Sequence, residues 1–159
     1  MIIEDAEQIK VLNAKIKRIN AQICLTKLNS NEARLIQSIP GFGDTTSAEI
    51  SGEIGTINRF EKESSLALYL GMTALDNSSG KYRGSKQPKH VNTRAKMAMM
   101  TAIDRHRKVV PESQEYYDKK RREGKKHNQA IRALGRHLCR VMFKILSENR
   151  EYVVKNKEH

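Results

Sequence analysis

The most informative stretch of this sequence is Leu35-Ile-Gln-Ser-Ile-Pro-Gly-Phe-Gly-Asp-Thr-Thr-Ser-Ala-Glu-Ile-Ser-Gly-Glu-Ile-Gly55. It predicts a helix, a tight hairpin and a second helix. Pro40 has no backbone N–H and therefore ends the first helix. Gly41 and Gly43 can adopt positive φ, and they leave their backbone amides uncovered by side chains.

The two helices of this stretch have predictable ends. Ser30 or Asn31 would cap the first, whereas Asp44 or Thr45 would cap the second and Gly55 would end it. Each helix also has an apolar face. The residues predicted to be buried are Leu35, Ile36, Ile39, Ala48, Ile50 and Ile54.

This pattern resembles the helix-hairpin-helix module, in which bare amides and a helix N-terminus bind a DNA phosphate without reading sequence. On that reading, Gly41, Gly43 and Thr45 are candidate DNA-binding residues. The alternative is a turn that needs its glycines only to pack two helices together.

The overall charge favours a polyanionic partner. The 159 residues include 30 Lys and Arg against 18 Asp and Glu, which gives a net charge of +12. No apolar run approaches the length of a bilayer span, and the acidic N-terminus does not resemble a signal peptide. We therefore predict a DNA partner, no membrane, and a cytoplasmic, nucleoid-associated protein.

No residue pattern predicts a metal or cofactor in this chain. Cys24 and Cys139 are far apart, and each lies in a helical pattern. We expect both to be small buried apolar groups in a reducing compartment. The histidines lack zinc-ligand spacing, and the scattered acids form no pair of Mg²⁺ sites. A self-sufficient metal nuclease is therefore not expected.

A long N-terminal helix, α1, is predicted over residues 3–28. Its apolar residues recur at steps of seven, three, four, three and four, the a/d spacing of a coiled coil. They are Ile2, Ile9, Leu12, Ile16, Ile19 and Ile23, called the α1 seam below. Such a seam needs a partner helix, so we expect a homodimer or a higher oligomer. Packing on its own domain is the alternative.

The rest of the chain is predicted to be helical around one long loop. A short helix capped by Ser64 or Ser65 would end at Gly71. Residues 73–89 would form a loop, and no strand is expected. Three more helices are predicted: 90–107, burying Met97, Met100 and Ile103; 112–122, burying Tyr116; and 128–149, burying Ile131, Leu134, Leu138, Met142 and Ile145.

These elements predict an all-α fold. The expected organisation is an N-terminal coiled-coil helix over 1–29, a helix-hairpin-helix domain over 30–150 and a tail over 151–159.

The predicted loop over 73–89 places hydroxyl groups beside cations. Ser78 and Ser79 precede Gly80, and Lys81 and Arg83 follow closely. A serine that attacks a phosphodiester needs an exposed hydroxyl, room for the backbone and nearby positive charge. Ser-Ser-Gly is also ordinary turn chemistry, however, so this pattern alone is weak.

An ordered set of motifs resembles the C-terminal domain of the DEDD insertion-sequence transposases, relatives of the pilin-inverting recombinases that are guided by a bridge RNA. The resemblance covers residues 32–149. The motifs are Ile39-Pro-Gly-Phe-Gly43, Phe60, Leu70-Gly-Met72, Ser79-Gly-Lys81 and His90-Val-Asn-Thr-Arg94.

The resemblance implies a recombinase with a serine nucleophile, which would be Ser79, with Ser78 as its rival. It also implies a separate RuvC-like domain that carries metal-binding acids and Mg²⁺, and a guide RNA as a further partner. The α1 seam would be the end of the coiled coil joining the two domains, so the chain is expected to be part of a longer protein. The further candidate DNA-binding residues are Lys81, Arg83, Lys86, Lys89, His90 and Arg94.

The chain departs from the family at Lys89, where a glycine is usual. Two other readings remain open: a stand-alone helix-hairpin-helix module without chemistry, and an RNA-binding accessory protein. The sequence favours the DNA-binding, serine-bearing half of a transposase.

Overall fold

The computed structural model describes residues 2–27, 29–73, 75–79, 82–86 and 91–153, with the two strands described by their backbone. The chain is predominantly helical, which confirms the all-α class. The helices are α1 Ile2–Lys27, α2 Asn31–Gln37, α3 Asp44–Ile54, α4 Glu63–Tyr69, α5 Thr93–Val109, α6 Pro111–Arg122 and α7 His127–Ser147. A single 3-10 turn, Ile57–Arg59, joins α3 to α4.

The core forms around α7, which packs against α2, α4, α5 and α6. All five residues predicted to form its apolar face are buried. Small residues on the same side, Ala130, Gly135 and Cys139, let the neighbouring helices approach. Burial raises the pKa of the Cys139 thiol to about 12, so this cysteine is an inert apolar group, as predicted.

Helix α1 is as long as predicted but leaves most of its apolar seam in solvent. The side chains of Ile9, Leu12, Ile16 and Ile19 are 50–58% exposed. Towards its C-terminal end α1 packs against α3 and α2, where Ile23 is half-buried. Cys24, predicted to be buried, is also only half-buried.

The two helices predicted around Pro40 are present as α2 and α3, although their ends differ from those predicted. Ser30 caps α2 by accepting a hydrogen bond from the Ala33 amide at 3.1 Å. The N-cap of α3 is Gly43, so the prediction of Asp44 or Thr45 was wrong. Both side chains lie inside the first helical turn, because the helix starts as soon as the turn after Pro40 is complete.

The predicted faces of α2 and α3 are largely correct. Leu35, Ile36, Ile39, Ile50 and Ile54 are all buried. Ala48 is half-buried and lines an apolar groove against α1 instead of the core.

Helix α4 starts earlier than the serines suggested. Lys62 is its N-cap, so Ser64 and Ser65 lie within the helix and neither caps it. Its end is as predicted, because Gly71 has φ +68° and donates to the Leu68 carbonyl at 3.0 Å. Met72 donates to the Ala67 carbonyl at 2.9 Å, completing a Schellman motif.

The predicted loop over 73–89 contains a two-stranded hairpin. Strand β1 is Leu75–Ser79 and β2 is Tyr82–Lys86, paired antiparallel with Leu75 opposite Lys86. The prediction of no strand was therefore wrong for this segment. Backbone groups make an antiparallel ladder, which can form without the alternating apolar residues that signal a half-buried strand.

Two buried faces were assigned incorrectly from the sequence. In α5, Met97 is 67% exposed and Met100 only partly buried, because Ala95, Ala98, Met99, Ala102 and Ile103 form the buried face. That helix begins at Thr93, three residues after the predicted start. In α6, Tyr117 is the buried tyrosine, whereas Tyr116 packs at the edge of the core.

Candidate nucleic-acid interface

The turn between α2 and α3 is pressed against the backbone of α5. Gly41 has φ +86°, as predicted. A Cβ added there would lie 2.4 Å from the backbone nitrogen of His106, which is far inside van der Waals contact. Gly43 has φ −82° and so does not use the positive φ that a glycine can adopt. Packing against α5 is thus sufficient reason for Gly41 to be glycine.

A buried histidine holds this turn in place. His106 is 1% exposed, and its Nδ1 lies 2.7 Å from the Pro40 carbonyl oxygen. Because a carbonyl only accepts, Nδ1–H must be the donor. The Nε2 atom, 2.9 Å from Ser113 Oγ, then accepts from the serine hydroxyl in the neutral ring.

Burial lowers the pKa of His106, while the hydrogen bond to Pro40 acts in the opposite direction. The imidazole therefore tends to remain neutral and connects the turn to both α5 and α6. Sequence reasoning missed this residue. His106 follows Ile103 by three residues and Ala102 by four, and this spacing is the sequence signal that it lies on the same buried face of the helix.

The N-terminus of α3 is open beside an arginine. No side chain caps its first turn, and the first N–H groups of a helix have no intrahelical partner. Arg105 Nη1 lies 3.6 Å from the position that a Cβ on Gly43 would occupy. Arg105 is exposed and forms no salt bridge within the described part of the chain. Thr45 is exposed in the same turn.

The nearby carboxylate of Asp44 is already engaged. It accepts from Lys27 and from Gln37 Nε2, the latter at 2.7 Å. The Lys27 hydrogen bond is the main reason that the pKa of Asp44 is lowered. Lys27 thus offsets the carboxylate charge, and Arg105 adds a further positive charge at the start of α3.

The start of α5 is held by Asn92. Its side chain accepts from the Ala95 amide at 3.0 Å and donates to Glu53 Oε2 at 2.7 Å. Arg94 is 77% exposed, with Nε 3.3 Å from Glu53 Oε1. Because an exposed ion pair of this kind is weak, a phosphate could compete for Arg94.

The predicted nucleophile lies at the end of a strand. Ser79 is the last residue of β1 and pairs with Tyr82, whereas Ser78 pairs with Arg83. Arg83 and Lys86 belong to β2. Lys81, Lys89 and His90 lie outside the described residues. The roles assigned to all of these side chains stay predictions.

The described residues contain no candidate metal site and no membrane-spanning helix. Their His, Cys, Asp and Glu side chains form no group of three or more that could hold a metal ion. None of the helices described is long and apolar enough to cross a membrane.

Residues 33–118, more than half of the chain, match the transposase family IS116/IS110/IS902. The chain belongs to this family. The matched region contains the α2–α3 turn, the β-hairpin and the positions of Ser79, Arg94 and Arg105.

Three proteins of insertion elements are similar to the chain. The 42 kDa protein of IS900 from Mycobacterium paratuberculosis is 30% identical over 149 residues, 92% of this chain and 37% of that protein. The 44.8 kDa protein of IS116 from Streptomyces clavuligerus is 29% identical over 155 residues, 94% of this chain and 38% of that protein.

The 43.6 kDa protein of IS110 from Streptomyces coelicolor is 32% identical over 119 residues, 74% of this chain and 29% of that protein. The chain thus spans less than two fifths of the length of each of these relatives.

Proposed function

We propose that this chain is the DNA-binding, serine-bearing C-terminal part of an insertion-sequence transposase. The observation that carries its DNA-binding half is the open first turn of α3, which lies beside Arg105. Family membership and the position of Ser79 before Gly80 support the catalytic half. In the full-length protein, a RuvC-like domain with Mg²⁺ would act together with Ser79, and a guide RNA would select the DNA.

A phosphate group fits the chemistry of the α3 N-terminus. The partial positive charge of the helix dipole and the unpaired N–H groups favour an anion there. Arg105 adds a full charge within reach of the same position. Hydrogen bonds to a charged group contribute about 1.5–3 kcal/mol each, so two or three would hold one phosphate.

Such contacts carry no sequence information. Phosphate and sugar atoms are the same at every base pair, so these interactions position the protein without specifying a site. Unrelated duplexes should therefore bind with similar affinity, and that affinity should fall steeply as salt is raised.

Gly43→Asp tests the phosphate contact. Aspartate is among the best N-caps, and Gly43 has both a suitable φ and space for a side chain, so the fold should be retained. The new carboxylate would occupy the amides and repel phosphate. We expect duplex affinity to fall about tenfold or more, a change of about 1.4 kcal/mol, as measured by fluorescence anisotropy.

Gly52→Asp is the matched control for this variant. Gly52 is exposed in the same helix, has open space around its Cβ position and receives the same change in charge. If both variants bind duplex DNA equally well, the α3 contact is wrong.

The catalytic half of the proposal is a transesterification at phosphorus. The Ser79 Oγ forms a new O–P bond while the bond from phosphorus to a deoxyribose oxygen breaks. The serine proton passes to a base, and the leaving oxygen takes up a proton. Lys81, Arg83 and Arg94 are proposed to balance the charge of the phosphorane.

Ser79→Ala tests this step in the full-length protein with its partner nucleic acids. The variant should bind DNA, because α3 is untouched, but should form no covalent adduct and no recombined product. Ser78→Ala is the matched control and should remain active. The reverse result would move the nucleophile to Ser78. If both variants remain active, neither serine is the nucleophile, and the chain is a DNA-binding module without serine chemistry.

Self-association through the exposed α1 seam is also part of the proposal. An a/d seam of this length is typical of a helix that pairs with another helix. A second copy of the chain would bury it.

A further inference from the structure

A dense group of cations lies between α6 and α7. Residues 119–126, called the basic corner here, contain six Lys or Arg and one Glu, a net charge of +5. All of them except the half-buried Lys120 are exposed. We propose that the basic corner is a second phosphate-binding surface, which holds the same DNA duplex that contacts α3. This inference rests on the proposed function.

Much of this charge is not neutralised within the protein. Glu123, the acid of the corner, is paired with Lys120 at 2.8 Å. The Arg121 guanidinium donates to the Lys125 carbonyl at 2.7 Å and so shapes the turn. Arg122, Lys125 and Lys126 form no salt bridge in the part of the chain that the structure describes. Like charges at this density repel one another, and an external anion would relieve that repulsion.

The corner is continuous with the α3 contact. A cleft of about 380 Å³ separates α5 from the start of α7. Arg105 and the Asp104–Lys108 ion pair line one wall, and His127 and Asn128 line the other. Lys126 directly precedes His127, so the rim of the cleft leads into the corner. Since Arg105 also borders Gly43, an exposed cation at the start of α3 and another at Lys126 lie on either side of this cleft.

The chemistry of this surface favours a duplex over single-stranded nucleic acid. Single strands are typically bound by stacking bases on exposed aromatic rings. The two tyrosines of α6 are already engaged: Tyr117 lies under Arg107, and Tyr116 packs edge-on against His137 at 4.8 Å. Duplex DNA carries about one charge per 1.7 Å of its axis, so a duplex held at α3 presents more phosphates to the same face.

The test removes three charges at once. The triple variant Arg122→Gln, Lys125→Gln, Lys126→Gln is compared with Lys10→Gln, Lys15→Gln, Lys17→Gln, which removes three exposed charges from α1. Affinity for a 20-base-pair duplex and for a single-stranded RNA of the same length is measured over a range of salt concentrations by anisotropy. Each phosphate contact contributes about 0.9 to the salt slope, so we expect the corner variant to lower the slope by about 2–3. The α1 variant should leave it nearly unchanged.

Three results would overturn the inference. Equal slopes for the two triple variants would mean that only net charge matters. A loss of binding to single-stranded RNA with no loss for duplex DNA would make the corner a single-strand surface. If the corner variant weakens duplex binding but Gly43→Asp does not, the basic corner binds DNA without a contact at α3.

Equal slopes for the two triple variants are compatible with a loss of duplex affinity in Gly43→Asp, which supports the proposed function. Unchanged affinity in Gly43→Asp would instead contradict the proposed DNA contact at α3. Failure of the inference can therefore be told apart from failure of the proposed function. Thermal unfolding of each variant checks folding, which exposed Lys and Arg substitutions should not disturb.

Discussion

Helices α1 and α7 have almost the same apolar spacing and opposite surroundings. Both repeat their large apolar residues at steps of three and four. In α7 these residues are buried among four other helices. In α1 most of them remain about half exposed.

The width of the apolar face explains this difference. In α7, small residues broaden the stripe, so that nine residues of the helix are buried. In α1, the residues that flank the seam are mostly charged or amide side chains, which leaves a narrow stripe. A wide stripe suits a helix inside a globular core, whereas a narrow a/d stripe suits the seam of a coiled coil. The period predicts a helix with one apolar face, but not the partner that covers it.

The largest expected effect comes from truncating one isoleucine in each helix. Ile131 is fully buried, so Ile131→Ala should lower the free energy of unfolding by about 2–5 kcal/mol. Ile16→Ala removes the same atoms from an exposed site and should change it by less than about 0.5 kcal/mol in dilute protein. Urea unfolding followed by circular dichroism measures both. A comparable loss in the two variants would show that α1 is packed as tightly as α7.

A smaller effect is expected from placing charges in the α1 seam. Leu12→Glu with Ile16→Glu should leave the fold intact but abolish pairing between helices. Sedimentation equilibrium should show the wild-type chain as a dimer at high concentration and the variant as a monomer. A wild-type protein that stays monomeric throughout would contradict self-association and leave the seam for another partner helix.

The smallest expected effect concerns pH and the packed part of the molecule. The pKa of His106 is lowered by burial, so the folded state binds fewer protons than the unfolded state. Its contribution to stability is fully present above the unfolded pKa of about 6.5 and is lost as pH falls through the folded pKa. The urea midpoint should therefore decrease between pH 7.5 and pH 5.

His106→Asn should reduce this decrease in the urea midpoint, whatever it does to absolute stability. Burial also lowers the pKa of His137, which contributes in the same direction. His137→Asn is therefore the appropriate comparison. An unchanged pH profile in His106→Asn would mean that the turn held by His106 does not sense pH.

Local rules predicted most of the helices and failed at specific residues. The period identified α1 and α7, and Pro40, Gly55 and Gly71 marked helix ends correctly. The buried face of α5 was misjudged because methionine was weighted above alanine, although alanines line helices that approach closely. The β-hairpin was missed because its strands carry no alternating apolar pattern.

The site shows a similar division. Gly41 and Gly43 were selected from the sequence for one shared reason, yet in the structure they differ. Gly41 is required by the backbone of α5, whereas Gly43 has room for a side chain. The sequence predicted that the backbone amides of both glycines are exposed to a phosphate. It could not show that only Gly41 contacts the α5 backbone, because that contact joins residues far apart in the chain.

The sequence by itself determined the helical class, the length of α1, the position of the turn after Pro40, the excess of positive charge and the resemblance to the transposases. These depend on composition and on residues close together in the chain. Tertiary structure decided that His106 is buried, with a lowered pKa, and is hydrogen-bonded to Pro40, and that Arg105 lies beside Gly43. Contacts between residues so distant in sequence arise from helix packing, which no local pattern encodes.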